Sequence, residues 1–209
     1  MSLGAVSGGP RGLLDPDCPV RGHYEALAKR LLAVEGLRSV VVTSPEPGAG
    51  RTSVSVGLAA AVAGTGRRAA VVDCNLEDPQ LHRVLGGPNF VGLMGCLEGG
   101  KPLEGYGHGV VPGLLVVPTG PVPHDPYPRL EEGRLVGAVG SLEGGRDVVI
   151  LDAPVADGVL ASPALRGGFG GVLLVVHASR TPKNLARQTT DDLLDAGTNL
   201  LGVVLNGCP

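Results

Sequence analysis

The sequence predicts an α/β fold in which a doubly wound, mostly parallel sheet is covered by helices on both faces. Two observations support this prediction. Short, almost entirely apolar runs recur along the chain, as expected for strands buried on both faces of a sheet, and they read "VVVTS", "AAVVD", "DVVILD" and "GVLLVVHAS". Segments with helical patterns separate these runs, and such strand-helix alternation is typical of a parallel sheet.

The pattern in the first part of the sequence predicts a flexible N-terminal segment, or lead-in, followed by a helix, a strand and a second helix. Residues 1–20 are rich in glycine and proline, so we expect a flexible segment there and a single domain over residues 21–209. Apolar residues spaced by three or four in "HYEALAKRLLAVEG" predict an amphipathic helix that ends at Gly36. A strand over residues 39–43 and a helix over residues 52–63 are expected next.

The remainder of the chain continues this alternation. A strand ending at Asp73 precedes helical segments in "PQLHRVLG" and "VGLMGCLEG" and then a strand in "GLLVVPTG". A proline-rich loop, "PVPHDPYP", leads to a helix in "RLEEGRLVGAVGSLEG" that its glycines weaken. After the strands "DVVILDAP" and "GVLLVVHAS", a helix with Pro182 in its first turn and the strand "LLGVVLN" complete the fold.

Composition and charge argue against several classes of protein. The 209 residues and 43% hydrophobic content suffice for one substantial core. The formal net charge of -3, without dense runs of either sign, gives no reason to expect nucleic acid as a partner. Four cysteines without a CxxC pair favour a reduced, cytoplasmic protein. Because no apolar stretch is long enough to span a bilayer, we expect any membrane link to come through another protein.

The stretch "SPEPGAGRT", between the first strand and the next helix, is typical of a phosphate-binding loop. A helix N-terminus presents free backbone N–H groups and the positive end of its dipole, and both favour a polyphosphate. Glycines at two positions permit unusual backbone angles. Arg51 would reach the β- and γ-phosphates, and Thr52 would offer its hydroxyl to Mg²⁺. The predicted phosphate-binding residues are Pro47, Gly48, Ala49, Gly50, Arg51, Thr52 and Ser53.

Two aspartates follow other predicted strands. Asp73 ends "AAVVD", and Asp152 ends "DVVILD". Taken singly, either aspartate could simply cap a turn. The carboxyl ends of parallel strands meet at one edge of the sheet, however, and ligands of open α/β sheets bind there. Together with the loop, the pattern predicts that Thr52, Asp73 and Asp152 organise Mg²⁺.

Motif matches over residues 40–206 make the chain similar to a known family. "TSPEPGAGRTS" matches the family motif TSxxPGEGKST, "VDCNLEDPQLH" matches IDxDLRxPxxH, and "DVVILDAPV" matches DYVIIDTPP. "GLMGCLEG", the loop "GPVPHDPYPRL" and "GVVLN" match three further motifs. The chain thus resembles the cytoplasmic domain of the bacterial tyrosine kinases of capsule and exopolysaccharide synthesis, within the MinD- and ParA-like P-loop NTPases.

The resemblance implies a function, its cofactors and its partners. It implies a protein that binds ATP or ADP with Mg²⁺ and regulates polysaccharide biosynthesis and export. Its catalytic set would be Arg51, Asp73, Asn75 and Asp152, and Asn206 would contact the adenine base. The expected partner is a membrane-embedded chain-length or co-polymerase protein, with a homo-oligomer as a further expectation. The location would be the cytoplasm, at the inner face of the membrane through that partner.

Two departures from the family motifs bear on catalysis. Arg51 replaces a lysine, and although it keeps the charge, its geometry differs. Asn75 replaces the second aspartate of the DxD pair, and an amide cannot accept a proton. General-base assistance of about 10²- to 10⁴-fold would then be lost. The first hypothesis is a P-loop tyrosine kinase or ATPase with weakened catalysis, and the second is a non-catalytic, pseudokinase-like scaffold for a membrane co-polymerase.

A partition- or septum-type ATPase is a third hypothesis. Such proteins usually carry a second lysine early in the loop, where this chain has Ser44 and Pro45. The slightly acidic net charge also disfavours the DNA or membrane surfaces on which those ATPases assemble.

Overall fold

A computed structural model describes residues 9–99, 101–124 and 132–208, and within these ranges seven strands form one sheet. The strands are β1 Ser39–Thr43, β2 Ala69–Asp73, β3 His108–Val111, β4 Leu114–Val117, β5 Val148–Asp152, β6 Val172–His177 and β7 Leu200–Asn206. Their order in the sheet is β3-β4-β2-β5-β1-β6-β7. All neighbouring pairs are parallel except β3 and β4. The prediction of a mostly parallel α/β sheet is therefore confirmed.

Helices cover both faces of this sheet. In the described part of the chain they are α1 Arg21–Leu32, α2 Arg51–Gly64, α3 Leu81–Leu85, α4 Leu93–Leu97, α5 Glu132–Glu143, α6 Ala156–Ala161, α7 Pro163–Gly167 and α8 Lys183–Asp195. Short 3-10 helices lie at Gly9–Leu14 and Leu103–Tyr106. None of these described helices is both long and apolar enough to cross a bilayer.

The central strand β1 shows why the predicted strands are continuous apolar runs. Val40 and Val42 pack in one buried cluster with residues of α1 and α2. Val41 points to the other face and packs in a second cluster with residues of α4, α5, α7 and α8. Because both faces are covered, all five residues of the strand are buried. This burial fixes the position of the loop that follows β1.

The described part of the lead-in differs from the flexible segment that the sequence predicts. Leu13 and Cys18 are only 8% and 7% exposed and lie in the same apolar cluster as α2. The 3-10 helix at Gly9–Leu14 brings Leu13 onto that cluster. The burial of Leu13 and Cys18 was not predicted, because isolated apolar side chains among glycines and prolines form no periodic pattern. The folded part thus begins before residue 21.

Besides the two 3-10 helices, one strand and two α-helices in the described part of the chain were not predicted. The antiparallel edge strand β3 joins β4 through a turn at Gly113, where φ is +82°. The short helices α6 and α7 follow β5 and are separated by Ser162, whose side chain accepts a hydrogen bond from the Leu165 N–H. The second half of the proline-rich loop lies outside the described residues, since residues 125–131 are not among them.

Candidate functional site

The loop between β1 and α2 has the backbone form of a phosphate-binding turn. Gly48 and Gly50 have φ of +78° and +97°, in the left-handed region that favours glycine. Gly50 is the N-cap of α2, and its carbonyl accepts the first helical hydrogen bond from the Val54 N–H at 3.0 Å. The following helix is buried from Val54 to Ala63, so its N-terminus is held in place by the core. Free N–H groups and the helix dipole therefore converge on this loop.

Two buried carboxylates lie beside the loop at the carboxyl edge of the sheet. Asp73 ends β2 and Asp152 ends β5, and they are partners in the strand register. Their exposed fractions are 0% and 2%. Burial raises the pKa of Asp73 to about 7, and repulsion from Asp152 adds to the increase. Burial likewise raises the pKa of Asp152 to about 6, although hydrogen bonds from Thr52 and Ser55 and the charge of Arg51 oppose the change.

The Asp152 carboxylate is bound to the first turns of α2. The Thr52 hydroxyl donates to Asp152 Oδ2 at 2.7 Å, and the Ser55 hydroxyl donates to Oδ1 at 3.1 Å. Thr52 was predicted as a site residue, whereas Ser55 was missed. Its position three residues after Thr52 places both hydroxyls on one helix face, and that spacing was the signal available in the sequence.

Ser55 offers a direct test of this contact in the nucleotide-free protein. Replacing Ser55 with alanine should lower the free energy of unfolding by about 1–3 kcal/mol, because a buried carboxylate loses one of its donors. Ser53→Ala is the matched control, since Ser53 is only half-buried on the same helical turn. Urea denaturation of the two variants makes the comparison. Equal losses of stability would contradict the proposed support of Asp152.

Asp73 is held by backbone donors of the segment that follows β2. Its Oδ1 accepts from the Asn75 N–H at 3.2 Å, and its Oδ2 accepts from the N–H groups of Gln80 and Leu81, both at 3.0 Å. The contacts anchor the start of α3 to the end of the strand. Asp73 therefore fixes the segment from residue 74 to residue 81 beside the phosphate loop.

Asn75 takes part in the same turn rather than facing outward as a free ligand. It is 6% exposed, and its Nδ2 donates to the Asp78 carbonyl at 2.8 Å. An aspartate could not make that donation, so the asparagine has a structural reason in this chain. Nothing in this contact supplies a base, which agrees with the chemistry expected of an amide.

Arg51 folds back onto its own loop. Its Nη1 donates to Ser44 Oγ at 2.7 Å and more weakly to the Glu46 carbonyl at 3.4 Å. Partial burial lowers the pKa of Arg51, while Asp152 and Asp78 favour its charged form. Both contacts involve Nη1, one of the three nitrogens of the guanidinium, which carries five N–H donors in all. The reach of Arg51 to the β- and γ-phosphates stays a prediction.

Asn206 lies at the end of β7 and contacts the loop from the other side. Its Nδ2 donates to the Ala49 carbonyl at 2.9 Å, across 157 positions of sequence. Ala49 is 1% exposed, whereas Pro47 and Gly48 are exposed. The structure therefore brings together the loop, both aspartates and Asn206, all predicted from sequence, while the direct contact between Asn206 and the loop was not expected.

The donor set of this site fits Mg²⁺ with a polyphosphate. The Asp73 and Asp152 carboxylates are partners in the strand register, and the Thr52 hydroxyl is bonded to Asp152, so oxygen-bearing side chains of the kind that Mg²⁺ prefers meet here. Among the described residues no group of three or more histidine, cysteine, aspartate or glutamate side chains could hold a metal. A cation bound here would take phosphate and water oxygens as ligands besides the few oxygens that the protein offers, which is how proteins usually hold Mg²⁺.

Comparison with known proteins adds independent information. No family model matches the chain. A protein of Ralstonia solanacearum named as the tyrosine-protein kinase EpsB is 34% identical over 206 residues, covering 89% of this chain but only 27% of that protein. The chain thus spans about a quarter of the length of this relative.

Two solved structures share the fold. The kinase domain of the Escherichia coli tyrosine kinase ETK superposes with a TM-score of 0.86 and 24% identity, covering 99% of this chain and 84% of that one. The septum site-determining protein MinD of Pyrococcus horikoshii, complexed with Mg-ADP, gives a TM-score of 0.67 and 24% identity, covering 81% of this chain and 70% of that one. Identities this low show the fold alone.

Proposed function

We propose, from the premise that this chain belongs to the bacterial tyrosine-protein kinases within the MinD-like P-loop ATPases, that its phosphate loop binds Mg-ATP. The observation that carries the proposal is the 2.7 Å bond between the Thr52 hydroxyl and the buried Asp152 carboxylate. In P-loop NTPases, Mg²⁺ is held by a hydroxyl on the first turn of the helix and by a carboxylate at the end of a neighbouring strand.

Each part of the site would have a separate role. The backbone N–H groups of Gly48 to Thr52 would hold the phosphates at the helix N-terminus. Thr52 and Asp152 would orient the metal, directly and through water, and Asp73 would keep the adjoining segment in place. Arg51 would pair with the β- and γ-phosphates. Mg²⁺, when bound, would neutralise charge that develops on the transferred phosphoryl group.

The reaction we propose is transfer of the γ-phosphoryl group to tyrosine, at a rate reduced by two substitutions. Asn75 cannot accept the proton of an attacking hydroxyl, and its amide is engaged with the Asp78 carbonyl. Arg51 keeps the charge of the lysine that it replaces but not its geometry. Positioning and charge stabilisation remain, since they depend on the loop and Asp152.

We infer the biological setting from the names of the relatives. Besides EpsB, they include the tyrosine-protein kinase CpsD of Streptococcus agalactiae and a tyrosine-protein kinase in the cps region of Klebsiella pneumoniae. The setting we propose is regulation of polysaccharide synthesis and export, at the cytoplasmic face of the membrane. The proposed partner is a membrane-embedded chain-length protein, and a homo-oligomer is proposed as the working assembly.

A non-catalytic, nucleotide-binding scaffold is the second candidate. The observation that favours it is the Asn75 amide, which donates to the Asp78 carbonyl and cannot accept a proton. Incubation with labelled ATP, followed by separate counts of free phosphate and phosphotyrosine, distinguishes the two. Turnover that Asp152→Ala removes supports the enzyme, whereas nucleotide binding without turnover supports the scaffold.

Reversing the two substitutions tests whether they limit turnover. The double variant Arg51→Lys with Asn75→Asp should raise phosphoryl transfer by about 10²-fold or more, since a base is regained. In the absence of Mg²⁺, the free energy of unfolding of the double variant should be about 1–3 kcal/mol lower than that of the wild type. The new carboxylate could not donate to the Asp78 carbonyl, and it would add a negative charge beside Asp73. Labelled-ATP assays and urea denaturation measure the two effects. Unchanged turnover would show that the substitutions are not what slows the reaction.

A further inference from the structure

Asn206 is held in the sheet by its backbone, and its side chain contacts the phosphate loop, so we call it the anchor of that loop. It ends β7, pairs with His177 in the strand register, and its carbonyl accepts from the Ala178 N–H at 2.8 Å. Its side-chain amide then reaches the phosphate loop, where Nδ2 donates to the Ala49 carbonyl at 2.9 Å. The anchor is thus part of the sheet, while its target lies in a glycine-rich loop.

The hydrogen bond fixes the orientation of one particular peptide group. In a trans peptide the carbonyl of one residue and the N–H of the next point in opposite directions, and the described residues contain no cis peptide. Holding the Ala49 carbonyl towards Asn206 therefore directs the Gly50 N–H to the opposite side. A polyphosphate needs N–H groups, rather than carbonyl oxygens, facing it.

This peptide is one that could otherwise turn over. Gly50 has no side chain and a φ of +97°, and glycine adopts left-handed and right-handed conformations with similar ease. The Asn206 amide also packs directly on Gly50, since a Cβ atom at that residue would overlap with Nδ2. Contact and hydrogen bond together restrict the loop at the start of α2.

We propose that Asn206 is a positioning residue for the phosphate loop, holding the Ala49–Gly50 peptide in the orientation that binds polyphosphate. The inference rests on the proposed function, because it concerns the same nucleotide site. An amide has two hydrogens and one oxygen, and the Ala49 contact uses one hydrogen. Any contact with a nucleotide base would use what remains, so base and phosphate recognition would depend on one side chain.

Inorganic tripolyphosphate with Mg²⁺ separates this role from base recognition, since it has no base. In calorimetric titrations, Asn206→Ala should weaken tripolyphosphate binding about tenfold, as expected for loss of a hydrogen bond that preorganises a site. Asn206→Leu should do the same, because leucine keeps the branched shape without a donor. The matched control is Asn199→Ala, at the residue directly before β7, where Nδ2 donates to the Gly170 carbonyl at 2.7 Å. We expect an effect of about twofold or less.

Weaker tripolyphosphate binding in both Asn206 variants, with folding retained by circular dichroism and binding retained in Asn199→Ala, supports the inference. Unchanged tripolyphosphate binding in a folded Asn206 variant overturns it, even if ATP binding falls, because the residue would then serve the base alone. A wild-type protein that binds neither Mg-ATP nor tripolyphosphate would instead remove the proposed function, which is a distinguishable failure.

Discussion

Replacement of Asp152 with asparagine is expected to weaken Mg-dependent nucleotide binding by about 10- to 100-fold. The variant removes the charge that would orient the metal, while an amide oxygen can still accept from Thr52 or Ser55. Folding should not suffer in proportion, because burial already raises the pKa of the Asp152 carboxyl and penalises its charged form. Titration with Mg-ATP and urea denaturation of the free protein measure the two quantities.

A matched control for this variant lies at the other end of the same strand. Asp147 precedes β5, accepts from the Arg68 N–H at 2.8 Å and pairs with Arg67 at 3.2 Å, and its side chain is 35% exposed. Asp147→Asn should leave nucleotide binding unchanged and cost at most about 1 kcal/mol of stability. If both variants bound Mg-ATP as the wild type does, Asp152 would have no part in the site.

Replacement of Gly50 with alanine is expected to have a comparably large effect on nucleotide binding, through the backbone. The left-handed φ of +97° alone would cost about 1–3 kcal/mol for a residue with a Cβ. The new methyl group would also overlap with the Asn206 amide, so loop and anchor would have to separate. We expect Mg-ATP affinity to fall about 100-fold or more, because the loop N–H groups would lose their common orientation.

Gly48→Ala separates the effect of backbone strain from that of the overlap with the Asn206 amide. Gly48 also has a positive φ, +78°, but a Cβ there would meet no atom within 4 Å. This variant should therefore show only the backbone strain and a smaller loss of affinity. In the Asn206→Ala background, Gly50→Ala should cost less than it does in the wild type, since the overlap is gone. Strictly additive losses would mean that Asn206 and Gly50 act independently.

The strands and the predicted edge of the sheet could be read from the sequence because burial on both faces leaves a strong apolar pattern. β1 was predicted with the bounds that the structure gives, Ser39–Thr43. β3 was missed because "HGVV" is short, contains a glycine and is only partly buried at the edge of the sheet. The helices α6 and α7 were missed because Pro154, Gly158 and Pro163 interrupt any helical period.

The sequence predicted that the loop, the two aspartates and Asn206 lie close together, but it did not predict their contacts, and their roles in binding stay predictions. Asp73 and Asp152 follow apolar strands, so strand order alone brings them to one edge. The direction of the Arg51 side chain, by contrast, depends on Ser44 and on the shape of the loop. The bond from Asn206 to Ala49 joins residues 157 positions apart, and no local pattern encodes it. Motifs thus predict which residues lie close together, whereas packing determines which of their atoms form hydrogen bonds.

Calorimetric titration of the purified chain with ADP, in the presence and absence of Mg²⁺, tests the central claim most directly. We predict saturable binding at one site, with a dissociation constant of about 1 mM or tighter, that requires Mg²⁺ for full affinity and is weakened by Asp152→Asn. Absence of heat or saturation at millimolar ADP with Mg²⁺, in a protein that circular dichroism shows to be folded, would contradict the assignment of this loop as a nucleotide site.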